Sequence, residues 1–386
     1  MKRSFFVFVS AFFIAIASYS QSEVKGYATQ NDMPVFYQKM KSRLTYPLSF
    51  ANSHKHFDKW RKEARKILLE CMSPAPPKAY SYDMKIMDKE KRDGYNAMKI
   101  EFNISDYSRV PAYMLVPEGE GPFPAVLLLH DHGAHFSIGK EKMIRPFHVD
   151  STVVADADDW AVRCYDNQYV GDYLASHGYV VLAVDALFWG ERGRKEGVRY
   201  DSQQALAANM LQMGMSWGSF IAWDDIRSAE FLASLPNVDK DKVGTMGFSM
   251  GAHRSWMTAA ATDVVKAAAS ICWMNTTDSL MTITNNQNKG GSAYSMIIPS
   301  LRNYMDYPDV ASIACPKPML FINGSKDKLF PVEGVKKSFE VMKKVWKSQK
   351  ADGQLVTEIY DSPHFCSKKM QSDILLFFNR YLMAVK

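Results

Sequence analysis

The stretch Val243-Gly244-Thr245-Met246-Gly247-Phe248-Ser249-Met250-Gly251-Ala252-His253 constrains the fold of this chain more than any other. An apolar run enters a G-x-S-x-G turn at Gly247, Ser249 and Gly251, and small residues follow. The pattern predicts a buried strand, a sharp turn and then a helix. A serine on so tight a turn is held in a strained backbone conformation, with its hydroxyl above the sheet edge. A Cβ at Gly247 or Gly251 would strike the neighbouring strand or helix. The helix that follows aims free N–H groups and its positive dipole end at any oxyanion formed beside Ser249.

A serine hydroxyl is a poor nucleophile until a base takes its proton and a carboxylate holds that base in the right tautomer. On a strand–elbow–helix sheet the chain order is Ser, acid, His. Pro318–Asn323 is an apolar strand emptying into a turn that carries Asp327, and Val356–Tyr360 is the next, with His364 in the loop beyond it. Both residues then stand at carboxyl ends of strands, the edge where Ser249 stands. Asp278, after the strand that follows the nucleophile, is the rival acid. Asp361 sits three residues before His364 and is read as shaping its turn, and Asp185 precedes Ser249, the wrong side for this order.

Two N–H groups are needed for the oxyanion. One is expected from Met250, the residue after the nucleophile, and the other from the loop His130-Asp131-His132-Gly133-Ala134-His135, at Gly133 or Ala134. The three histidines of that loop also approach a zinc motif, His-x-His-x-x-His, although Ala134 stands where an aspartate is required and no further ligand set follows. The zinc hydrolase built on His130, His132 and His135 is therefore the second reading, and no metal or other cofactor is expected.

The rest of the chain supplies the scaffold. Segments around 82–87, 97–104 and 110–116 alternate as antiparallel strands. The apolar runs 125–130, 179–185, 242–248, 265–272, 318–323 and 356–360 then alternate with helical stretches at 165–176, 224–234, 332–347 and 368–383. Strands apolar on both faces between helices mean a mostly parallel sheet covered on both sides, an α/β fold. From Tyr27 to about Met72 the pattern is helical, with Phe57, Trp60, Ala64, Ile67 and Leu68 on one face. The proline-rich Ser73–Pro77 closes this stretch, which gives a leader at 1–20, a helical extension at 21–77 and a catalytic domain at 78–386. The polar stretch 273–315 is too long for a connection and is expected to cap the site.

Lys2-Arg3, the apolar run Phe5–Ala17 and the small residues Ser18 and Ser20 form a secretory signal, so the mature protein is expected in a periplasm or outside the cell. Basic residues are interspersed with acids in a chain of formal charge +6, which gives no footprint for nucleic acid. Five cysteines without C-x-x-C or framework spacing are expected to be scattered thiols, with at most a disulfide or two. No lasting membrane insertion is expected, and the oligomeric state is left open.

With those motifs assembled, the chain resembles the α/β-hydrolases, and within them the dienelactone-hydrolase-like and acetyl xylan esterase-like secreted bacterial esterases. The resemblance covers Tyr80 to the C-terminus. It rests on His130–Gly133, Asp185–Arg192, the elbow, Asn323–Asp327 and Pro363-His364. Dienelactone hydrolases proper carry a cysteine where this chain has Ser249, which argues against that substrate. The resemblance implies a carboxylic ester hydrolase that removes acetyl groups from plant polysaccharide, with His132, Trp189, Glu191 and Arg192 as substrate contacts. Trp189, Trp273 and Tyr294 are candidates for a sugar-stacking surface. A uronic-acid methylesterase is the alternative, with Arg192, Arg194 and His132 reading neighbouring carboxylates, and a non-catalytic carbohydrate-binding relative is the remaining one.

Overall fold

The structure, a computed structural model, describes residues 29–30, 33–34, 36–53, 55–282 and 291–383. The expected leader, residues 1–20, lies outside them. The chain divides into two compact units, 1–43 and 44–386. The first holds a two-residue antiparallel pair, Thr29–Gln30 with Met33–Pro34, and a short helix, Tyr37–Lys41. The helical expectation for 27–72 thus holds only in its later part. The proline-rich segment 73–77 does not coincide with the division, because prolines stop a helix without ending a packing unit.

The second unit is built on a nine-stranded sheet: β1 (Lys85–Arg92), β2 (Tyr95–Asn103), β3 (Arg109–Pro117), β4 (Phe123–Leu129), β5 (Val180–Val184), β6 (Val238–Phe248), β7 (Ala267–Ile271), β8 (Met319–Gly324) and β9 (Leu355–Tyr360). Its spatial order is β9-β8-β7-β6-β4-β5-β3-β2-β1. The first three strands pair antiparallel, β3 also pairs antiparallel with β5, and the six from β4 to β9 run parallel. Alternate residues feed two cores: Leu127, Leu129, Leu182 and Phe321 face one, and Val126, Leu128, Val181 and Ile322 the other. All five residues of β5 and of β7 are buried, as strands covered on both faces require.

Helix α1 (Phe57–Cys71) buries Phe57, Trp60, Ala64 and Leu68 on the face the spacing marks, and Trp60 donates its indole N–H to Leu48 O at 2.9 Å. Trp60 is fully buried against Phe50 and Phe57. Trp60→Ala should therefore lower the unfolding free energy by about 3–5 kcal/mol, the range for deleting a buried large aromatic. Urea unfolding at constant m value reads this, and a loss under about 1 kcal/mol would leave α1 marginal to stability.

Further helices are α2 (Ser151–Tyr165), α3 (Val170–Ala175), α4 (Tyr200–Gln212), α5 (Trp217–Ser234), α6 (Met250–Ala261), α7 (Val332–Ser348) and α8 (Lys368–Phe378). The sequence patterns reach α3, α5, α7 and α8 but miss α2 and α4. All five cysteines are free thiols. Among the described residues no helix is long and apolar enough to cross a membrane.

Candidate active site

β6 runs straight into Ser249, whose backbone sits at φ 55°, ψ −123°, before α6 begins at Met250. This is the strained turn the motif demands. A Cβ on Gly247 would come within 2.2 Å of the Gly251 carbonyl, and one on Gly251 within 1.8 Å of Leu129 O on β4. The two glycines therefore let α6 press onto the ends of β6 and β4. Arg254, one turn along α6, is buried and binds Asp225 of α5 through two bonds of 2.9 and 2.6 Å. It also donates to His130 O at 3.2 Å, tying the elbow helix to the loop after β4.

Ser249 Oγ lies 2.9 Å from His364 Nε2, and His364 Nδ1 lies 2.7 Å from Asp327 Oδ2. An ionised carboxylate only accepts, so Nδ1 carries the proton and Nε2 is left to accept from the serine. The turns holding Asp327 and His364 are lashed together. Ser325 donates its N–H to Tyr360 O at 2.7 Å, and Lys326 donates its own to Ser362 O at 3.0 Å. Asp327 is 6% exposed, and its other oxygen accepts from Leu329 N at 2.8 Å. Phe330 stacks on the His364 ring at 5.8 Å, with Phe248 at 4.7 Å on a tilted face.

The rival acids stand elsewhere. Asp278 is exposed on a short helix, Thr277–Leu280, and Asp361 is exposed and binds Lys326 at 2.9 Å. Asp185 is buried and accepts from the Lys140 backbone N–H at 2.7 Å and its ammonium at 2.9 Å, which organises the loop after β5. Cys272, not Asp278, occupies the end of β7. Its sulfur, an Asp327 oxygen and a His364 nitrogen lie within 4.8 Å of one another, a group that could hold a metal ion. Burial, with Asp327 adding to it, pushes the Cys272 thiol up to about 12, so the sulfur is protonated at neutral pH. The other two ligand candidates are already bonded to each other.

Of the expected oxyanion donors, none of the Met250, Gly133 and Ala134 N–H groups has a hydrogen-bond partner among the described residues. Gly133 lies at φ +40°, and a Cβ there would meet Trp160 at 2.5 Å and Asp131 at 2.8 Å. Ala134 is exposed and lines a cavity of about 410 Å³ with Phe136, Asp156 and Arg194.

The three loop histidines do not converge on a common point. His130 is fully buried, contacts Asp131 O through Nδ1 at 2.8 Å and accepts from Ala186 N through Nε2 at 2.9 Å. His135 binds Asp156 through Nδ1, while its Nε2 faces Arg163. His132 is buried beside Trp189 and Phe136, and its Nε2 has no hydrogen-bond partner among the described residues. Burial, reinforced by Lys142, lowers the His132 pKa to about 4, so its ring is neutral at pH 7.

The other substrate-contact candidates are largely spent inside the protein. Trp189 is fully buried, stacks on Trp217 and donates to His132 O at 2.8 Å. Glu191 reaches Lys140 at 2.5 Å, and Arg192 binds buried Asp224 at 2.8 Å and donates to Asp185 O, so the two residues do not pair with each other. Trp273 is 3% exposed within a cluster of His253, Trp256, Tyr307 and Phe330, and Tyr294 is half-buried against the Phe136–Trp189 cluster. Arg194 remains at the surface, 3.4 Å from Glu196. Sequence reasoning missed Phe330 and Tyr200. The latter is 47% exposed, with its ring over His132 at 6.0 Å. It also missed the buried lysines 140 and 142; Lys140 binds Asp185 and Glu191, Lys142 the carbonyls of the 130–135 loop, and nothing in the local pattern signals either place.

A parallel sheet with an antiparallel edge, a serine elbow, and an acid and a histidine on the following strand ends define an α/β-hydrolase. The model of the Abhydrolase family matches residues 14–353, and the chain belongs to that family. A curated relative, "Putative hydrolase YtaP" of Bacillus subtilis (strain 168), is 28% identical over 324 residues, spanning 83% of this chain and 100% of its own. Among solved structures, a "putative acetyl xylan esterase" of Bacteroides fragilis NCTC 9343 superposes with a TM-score of 0.61 at 18% identity, covering 84% of this chain and 81% of that one. A glucuronoyl esterase from Solibacter usitatus gives 0.59 at 13% identity, covering 84% and 93%.

Proposed function

We propose that this protein is a serine esterase that removes acetyl groups from a neutral sugar ester through a covalent acyl-enzyme. The observation that carries the reading is the unbroken hydrogen-bond chain Ser249–His364–Asp327 on a strained elbow, followed at once by the unpartnered N–H of Met250. In this reading Ser249 Oγ attacks the acetyl carbonyl while His364 Nε2 takes its proton. The carbonyl oxygen becomes an oxyanion received by Met250 N–H and Gly133 N–H. Collapse of the adduct breaks the bond to the sugar oxygen, which leaves with the proton returned by His364. Water, deprotonated by the same nitrogen, then releases acetate and restores Ser249.

Charge favours acetyl esters over uronate methyl esters. Of the three side chains that would read a neighbouring carboxylate, Arg192 is neutralised by Asp224 and His132 is uncharged at pH 7. Only Arg194 is exposed, and Glu196 stands beside it. The solved structures named above, a "putative acetyl xylan esterase" and a glucuronoyl esterase, support esterified carbohydrate as the substrate class for both readings. The amino-terminal targeting pattern supports an enzyme working outside the cytoplasm.

A competition between acetylated xylooligosaccharide and methyl-esterified oligogalacturonide, with acetate and methanol followed together, tests the choice. Acetate should appear at least about tenfold faster than methanol, a gap of one 1.4 kcal/mol step in transition-state binding. Methanol without acetate would move the substrate to the uronate ester and leave the serine chemistry standing.

A further inference from the structure

Lys142, in the short 3-10 turn Lys140–Lys142, is fully buried. It donates to His132 O at 3.0 Å and approaches Asp131 O at 3.4 Å and Asp131 Oδ1 at 3.6 Å, with the Trp160 ring at 5.1 Å. The same His132 carbonyl accepts the Trp189 indole N–H at 2.8 Å. Two donors therefore hold a single carbonyl pointing inward; burial lowers the Lys142 pKa, and Asp131 beside it works in the opposite direction.

That carbonyl shares its peptide unit with the Gly133 N–H. A trans peptide is planar, so its C=O and N–H point in opposite directions. Fixing His132 O toward Lys142 and Trp189 turns the Gly133 N–H outward, where it has no partner among the described residues. The loop lies directly against the elbow: Gly251 abuts the carbonyls of Leu129 and His130, and Met250 packs in one cluster with Phe136 and Trp189. Donors on the oxygen side of an amide also polarise it, which makes the N–H a stronger donor.

We propose that Lys142, seconded by Trp189, is a positioning residue that aims and polarises the Gly133 N–H as an oxyanion donor. The proposal rests on the serine esterase reading, in which Gly133 receives the oxyanion. Neither side chain touches substrate; both act through one peptide. It also accounts for the burial of Trp189, which sequence reasoning had placed against substrate.

The test compares Lys142→Met and Trp189→Phe with the wild type, counting competent sites by fluorophosphonate labelling of Ser249. Per labelled site, Lys142→Met should lower kcat on p-nitrophenyl acetate by roughly 30–100-fold, below the 10²–10³ lost when an oxyanion donor is deleted outright. KM should stay within about threefold, because the ground-state carbonyl gains little from that donor. Affinity for an alkylboronic acid, whose tetrahedral adduct places an oxygen where the oxyanion forms, should fall by the same factor as kcat. Trp189→Phe keeps most of the packing and removes only the indole donor, so its effect should run in the same direction at about three- to tenfold.

A purely structural role predicts a lower Tm and fewer labelled sites with kcat per site and boronate affinity unchanged, and that result would overturn the proposal. Should Lys142→Met fail to fold, Trp189→Phe decides alone: wild-type kcat and boronate affinity in that variant overturn it. Wild-type protein that the probe does not label, and that cleaves no ester, overturns this proposal together with the reading beneath it. Labelled, active wild type with indifferent variants removes this proposal only.

Discussion

Ser249→Ala should cut ester cleavage by roughly 10⁴–10⁶-fold and abolish labelling by a fluorophosphonate probe, the scale of loss when a serine hydrolase is deprived of its nucleophile. The size of the effect follows from the lack of a substitute. Ser249 Oγ is the group hydrogen-bonded to His364 Nε2, at 2.9 Å. The thiol nearby, Cys272, is fully buried, and its pKa is pushed up to about 12. A protonated, inaccessible thiol does not replace an activated hydroxyl. Folding should survive, because alanine at φ 55° bears the same backbone strain that serine already bears there, and only one side-chain hydrogen bond is lost. Mass spectrometry of the labelled peptide, with circular dichroism of both proteins, makes the measurement. A variant that still takes the probe would place the nucleophile at another residue.

The elbow was legible in sequence because its constraints are local. Gly247 and Gly251 are dictated by atoms within a few residues or on the adjoining strand, so a five-residue spacing carries the whole geometry. Asp327 and His364 were legible for a different reason. Each ends an apolar run of strand length, and parallel strands deliver all their carboxyl ends to one edge. What surrounds the site was not legible in this way. Trp189 and Trp273 sit in loop sequences, and loop aromatics read as exposed. Their burial depends on the packing of Trp217, Tyr307 and Phe330, which come from distant parts of the chain. Arg192 and Glu191 look like a neighbouring ion pair, yet one finds Asp224 on α5 and the other Lys140 in the preceding loop. Partner choice among charges is tertiary information, and no spacing encodes it. Lys140, Glu141 and Lys142 belong to the same class: three consecutive charges in sequence, all three are buried in the fold.

Asp327→Asn should lower turnover by about 10³–10⁴-fold at neutral pH with the fold intact, while Asp278→Asn should stay within about twofold of the wild type. The reason lies in the second oxygen of Asp327. Asp327 Oδ1 accepts the Leu329 N–H at 2.8 Å, and an asparagine would keep its carbonyl oxygen there, since its NH₂ cannot accept. The NH₂ is then turned to His364 Nδ1, now 2.7 Å from Asp327 Oδ2. Facing a donor, Nδ1 must accept, so the imidazole proton moves to Nε2 and points at Ser249 Oγ. The histidine that should take the serine proton then offers one instead, although no heavy atom has moved. Asp278, exposed on its short helix, sets no tautomer of His364 in this geometry. Steady-state kinetics on one acetyl ester, with thermal melts of all three proteins, gives the ranking. The tautomer itself is open to nitrogen-15 NMR of labelled histidine. An Asp278→Asn loss larger than that of Asp327→Asn would move the acid to the earlier position and require His364 to turn toward it on binding substrate.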